Sequence, residues 1–207
     1  MKNLLLMLIV FVTGFGELYA QNHLDDKDSS LFIICRSTKS KQSIVAEDFN
    51  INDSIITHVG IGYYENGMLK VFNVSTDKKN SQGSSLIQED FQTFTNVPDI
   101  SYSSVWQYKC GRQEVSHMIT ILESFSLKSI KFDFSFELEN GNDFYCSEFV
   151  YEVLHLLDNR KFNFNPVQKE LSKFYASILK RDFLNYIPVD FFQQYPSFRK
   201  VLEQHHN

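Results

Sequence analysis

HVGIGYYENGMLKVFNVS, residues 58–75, decides the reading of this chain. Two runs rich in β-branched and aromatic residues, 58–64 and 69–75, flank Glu65-Asn66-Gly67-Met68. Asn-Gly between such runs predicts a tight β-hairpin, because both turn residues must adopt positive φ. With Asn66 and Gly67 as the turn, Gly60 lies opposite Asn73 and His58 opposite Ser75. Side chains alternate with period two, so His58, Gly60, Asn73 and Ser75 share one sheet face. His58 and Asn73 become diagonal neighbours, roughly 7–8 Å apart at the backbone and within side-chain reach.

Outward from the hairpin, Leu31–Cys35 is a short unbroken apolar run, consistent with a buried strand, and Ser101–Tyr108 is a further strand candidate. Residues 36–54 are polar and predict a loop with at most one short helix. Val115, Met118, Ile119, Leu122 and Phe125 form a helical stripe over 113–125. A second stripe, Phe149, Val150, Val153, Leu154 and Leu157, marks a helix over 144–157, with Asn142 or Asp143 as its N-cap. Phe174 to Leu179 suggests one more helix, and Pro188 and Pro196 break the last segment. No repeat or second-domain boundary is visible, so residues 21–207 are expected to form one α+β domain, an antiparallel sheet packed with helices.

Residues 1–20 read as an address. Lys2 is followed by an apolar run from Leu4 to Val12 and a small residue, Ala20, before Gln21. This is the outline of a secretory signal peptide, too short to span a bilayer, which needs about 20 apolar residues. The expectation is export to the periplasm or beyond, with no stable membrane span after cleavage. The chain has 207 residues, 43% of them apolar, and a formal net charge of −5. That composition supports a proper core and offers no excess of Lys and Arg for nucleic acid. The pattern lacks P-loop, dinucleotide and HExxH signatures, and paired Cys or His spacing for zinc. No metal or organic cofactor is therefore implied. Cys35, Cys110 and Cys146 are an odd set, so at least one thiol stays free.

Cys146 opens the 144–157 helix, where backbone N–H groups and the helix dipole favour a thiolate and predict a lowered pKa. A nucleophilic Cys needs a base and the base an orienting partner. His58 held by Asn73 supplies both, a Cys-His-Asn arrangement of the papain type. His155 shares the helix with Cys146 but lies about two and a half turns along it, too far to serve.

Thr57-His58-Val59-Gly60-Ile61 followed by Asp143-Phe144-Tyr145-Cys146-Ser147-Glu148-Phe149-Val150 resembles the circularly permuted NlpC-type papain-like hydrolases, the YiiX-like group. There the His strand precedes the Cys helix, the reverse of papain order. Weaker likenesses extend over Ser37–Ser43, Leu86–Phe94, Lys131–Phe136 and Ile187-Pro188-Val189-Asp190, most of the chain after residue 20. The resemblance implies a permuted papain-like fold with Cys146 as nucleophile and His58 as general base. The third position, usually Glu, falls on Asn73, which accepts a hydrogen bond but carries no charge. Tyr145 would line the site and donate its O–H to an oxyanion, or simply pack. Glu148 would favour the helix start or touch substrate. The family's Gly-Asp before its first strand is not matched by Ser29-Ser30. The implied activity is a cysteine amidase or peptidase acting on a peptidoglycan-derived peptide or related amide. A lipid acyltransferase or thioesterase on the same fold, or a catalytically silent binding module, are the alternatives.

Overall fold

In the computed structural model, the described residues are 27–206 apart from Ser40, Asp53, Ser54, Asp77, Glu137, Glu139, Asn140 and Asn142, with the side chains of 41–44 left aside. The export signal expected at residues 1–20 lies outside the described residues. A six-stranded sheet organises the rest. In chain order its strands are β1 (Ser30–Thr38), β2 (His58–Glu65), β3 (Met68–Val74), β4 (Leu86–Asp90), β5 (Ile100–Lys109) and a late strand at Arg199–His205. The spatial order is late strand, β5, β1, β2, β3, β4, and every neighbouring pair is antiparallel.

The hairpin has the register its turn dictates. Ile61 faces Phe72, Gly62 faces Val71 and Glu65 faces Met68. Asn66 and Gly67 sit at φ 51° and 79°, as a type I′ turn requires. Beyond Ile61 the β2–β3 ladder ends, and Asn73 and Val74 pair instead with Ile87 and Leu86 of β4. Two glycines let β3 lie close over β2. A Cβ on Gly62 would stand 1.9 Å from the Lys70 carbonyl oxygen, and one on Gly60 would stand 2.8 Å from that of Phe72.

Alternation sorts the strand residues into two cores. Leu31, Ile33, Cys35, Val59, Ile61, Phe72 and Val74 face one way. Against them pack α3 (Arg112–Ser126) and α4 (Cys146–Leu157), through Met118, Leu122, Phe125, Phe149, Val150 and Val153. Phe32, Ile34, Leu69, Val71 and Val105 face the other way. There the short α2 (Phe91–Thr95) covers them with Phe94. β1 is thus buried on both faces, which is why its sequence shows no alternation. A helix of twelve residues such as α4 is marginal alone. Each fully buried large apolar side chain on it contributes about 1.5–3 kcal/mol, so packing rather than propensity fixes it.

The remaining elements are α1 (Lys41–Asp48), the two-residue parallel pair β6 (Lys131–Phe132) and β7 (Asp143–Phe144), and an antiparallel pair, β8 (Val167–Glu170) and β9 (Phe183–Tyr186), which brackets α5 (Lys173–Leu179). The late strand completes the set as β10.

Candidate active site

The site is built where the start of α4 meets the open end of the β2–β3 hairpin. The helix begins later than its sequence suggests. Asp143 belongs to β7, pairing with Lys131, and the N-cap is Tyr145 rather than Asn142 or Asp143. Glu148 reaches back to accept the Tyr145 N–H at 3.4 Å, the carboxylate half of a capping box. Burial, aided by the nearby Asp133, pushes the Glu148 carboxyl up to about 8. The segment 187–190 clamps this helix end. Ser147 Oγ donates to the Ile187 carbonyl at 2.6 Å, and the Ile187 N–H donates to the Tyr145 hydroxyl at 2.8 Å. Asp190, buried, accepts the Ile51 and Asn52 N–H groups at 2.9–3.2 Å and ties down the approach to β2.

The Tyr145 ring lies in a cluster with Leu171, Leu184 and Tyr186, with Phe136 at 5.3 Å between ring centroids. Of the two roles expected for this residue, these contacts are those of packing, and its hydroxyl oxygen is already engaged by Ile187.

His58 and Asn73 meet directly: His58 Nε2 and Asn73 Oδ1 are 2.9 Å apart. The absent side chain of Gly60, whose Cβ would stand 3.2 Å from that of Asn73, leaves room for this bridge. Asn73 Nδ2 in turn donates to Glu89 Oε1 at 3.0 Å, and Lys78 Nζ donates to Glu89 Oε2 at 2.8 Å. On the opposite side the imidazole stacks on Phe94 at 5.7 Å and 24°. The Arg36 guanidinium lies over the same ring at 4.4 Å and donates to the Phe94 carbonyl. Burial, with the positive charge of Arg36, drives the His58 pKa down to about 3. The ring is neutral across the neutral range.

The Cys146 thiol sits against the backbone N–H groups of Val59 and Ser147. It therefore reaches β2 at the residue next to His58, but on the sheet face of Val59 and the first core, whereas the His58 ring projects to the other face against Phe94. Among the described residues no hydrogen bond joins thiol and imidazole. The helix start was expected to lower the thiol pKa. Burial instead raises it above its ordinary value of 9.0, outweighing both N–H groups and Arg36. The resting pair is thiol and neutral imidazole, not thiolate and imidazolium. All three cysteines are free; burial lifts Cys35 to about 12 and Cys110 to about 11.

The sequence reading missed Glu89, Lys78, Arg36 and Phe94. Arg36 carries a signal in hindsight, a charged residue within a doubly buried strand. Glu89 carries none, because Leu86–Asp90 shows no strand periodicity. Among the described residues no group of three or more His, Cys, Asp or Glu is placed to hold a metal ion.

No protein-family profile matches the chain, and no curated protein matches it. The fold is similar to the crystal structure of the metalloprotein YiiX from Escherichia coli O157:H7, at a TM-score of 0.62 and 16% identity. The similarity covers 87% of this chain and 99% of that one. It places the α+β domain with the papain-like folds.

Proposed function

We propose that the protein is a cysteine hydrolase, with Cys146 as nucleophile, His58 as general base and Asn73 as the residue that orients the imidazole. One observation carries the reading: the His58–Asn73 bridge at 2.9 Å, built on the strand whose next backbone N–H, that of Val59, contacts the Cys146 thiol. In this reading the sulfur attacks an amide carbonyl while the neutral imidazole takes the thiol proton. The imidazolium then returns that proton to the leaving amine. Water, deprotonated by His58, cleaves the thioester and frees the thiol. Backbone N–H groups of the first turn of α4 stabilise the oxyanion. The proposed substrate is a peptide amide derived from the cell wall, met after export.

Acyl transfer to or from a lipid is the second reading. Phe134 and Phe174 are about two-thirds exposed. Each touches a ring, Phe132 and Tyr175 respectively, that packs on the Tyr145 cluster. An exposed aromatic surface near a thiol nucleophile suits an acyl chain. Wall-derived peptides, acyl esters and acyl thioesters offered in parallel to wild type and Cys146→Ala separate the readings. Release of amines from the peptides by wild type alone supports the first. Turnover of acyl esters or thioesters alone supports the second. Equal turnover by both proteins, or none, removes the hydrolase.

A further inference from the structure

The Lys78–Glu89 ion pair behind Asn73, buried on its Glu89 side, has a consequence for the imidazole. Asn73 faces Ile87 across β3 and β4, so Glu89, two residues on, projects to the same face as Asn73. The Glu89 side chain is 6% exposed, and Lys78, 39% exposed, closes it from the solvent side. An ionised carboxylate only accepts hydrogen bonds, so the edge of the Asn73 amide facing Glu89 at 3.0 Å must be its NH2 group. The amide oxygen then faces His58, and it too only accepts. The ring nitrogen 2.9 Å from it, Nε2, must therefore carry the proton. In a neutral imidazole this leaves Nδ1 bare. The reversed amide would set its oxygen against a carboxylate oxygen at the same 3.0 Å, acceptor against acceptor.

We infer that Glu89, held by Lys78, is a positioning residue that acts through Asn73 to lock His58 in the Nε2–H form and leave Nδ1 without a proton. The consequence for rate rests on the hydrolase reading above; the lock itself does not. Glu89 holds the ring in one tautomer; its charge is offset by Lys78, whose ammonium disfavours the imidazolium.

Histidine-specific 15N labelling of the full chain and a long-range proton–nitrogen correlation spectrum at neutral pH read the tautomer directly. The wild type is expected to show His58 with Nε2 protonated and Nδ1 bare. Glu89→Gln replaces the obligate acceptor by a group that both donates and accepts. It is expected to give mixed tautomers and, on a substrate the wild type turns over, a kcat lower by roughly tenfold to a hundredfold with KM little changed. A wild-type ring protonated on Nδ1 overturns the lock, even if the variant fails to fold. So does a Glu89→Gln ring that stays wholly in the Nε2–H form. A wild-type Nε2–H signal that is lost in the variant, in a chain that hydrolyses nothing, supports the lock and counts against the hydrolase reading alone.

Discussion

Alkylation of Cys146 by iodoacetamide reports the resting state of the candidate pair, because only the thiolate reacts. Burial holds this thiol above 9.0 and His58 near 3. Moving the proton from sulfur to imidazole before substrate arrives runs against both shifts, and the attraction between the new charges offsets only part of that cost. At neutral pH the thiol form then dominates. The labelling rate should climb about tenfold per pH unit through the neutral and mildly alkaline range, without a plateau. Mass spectrometry of the Cys146 peptide over a pH series measures it. Cys35, at about 12, and Cys110, at about 11, are the internal references and should label more slowly. A Cys146 rate already flat below pH about 8 would mean a stable thiolate–imidazolium pair, and the burial argument would fail.

Glu148, raised to about 8 from an ordinary 4.5, stabilises the fold fully below 4.5, and that contribution is lost as pH rises through 8. Relative to wild type, Glu148→Gln should therefore gain about 3 kcal/mol in unfolding free energy between mildly acidic and mildly alkaline pH; urea titrations giving a constant difference would refute this. Gly62→Ala forces a Cβ against the Lys70 carbonyl oxygen and should cost about 1–3 kcal/mol, read as a lower denaturation midpoint; an unchanged midpoint contradicts the close approach. Asp190→Ala strips the acceptor from the Ile51 and Asn52 N–H groups. It should lower Tm and speed amide exchange at those two residues, and slow exchange there would show that the anchor lies elsewhere.

Local rules reached far into this fold. Asn66-Gly67 fixed the hairpin register, and the register alone put His58 and Asn73 on one face. The apolar stripes located α3 and α4, and the unbroken run in β1 marked a buried strand. Tertiary context decided the rest. β10 and β4 escaped because an edge strand with a mostly exposed face, Arg199–His205, and a short polar one, Leu86–Asp90, carry no apolar alternation. The N-cap moved because β7 takes Asp143 into a strand pair with Lys131, a contact twelve residues away in sequence. The thiol pKa was misjudged because the helix dipole is a local property, whereas the burial that outweighs it comes from distant segments. Glu89 lay beyond reach for the same reason: only the β3–β4 pairing brings it to Asn73.

Intact-mass analysis of the protein during turnover of an amide substrate bears most directly on catalysis by Cys146. Acid quenching is expected to trap a hydroxylamine-sensitive acyl adduct on the Cys146 peptide of wild type and none on Cys146→Ala. Amide cleavage that proceeds unchanged in Cys146→Ala, or an adduct on any other residue, would contradict it.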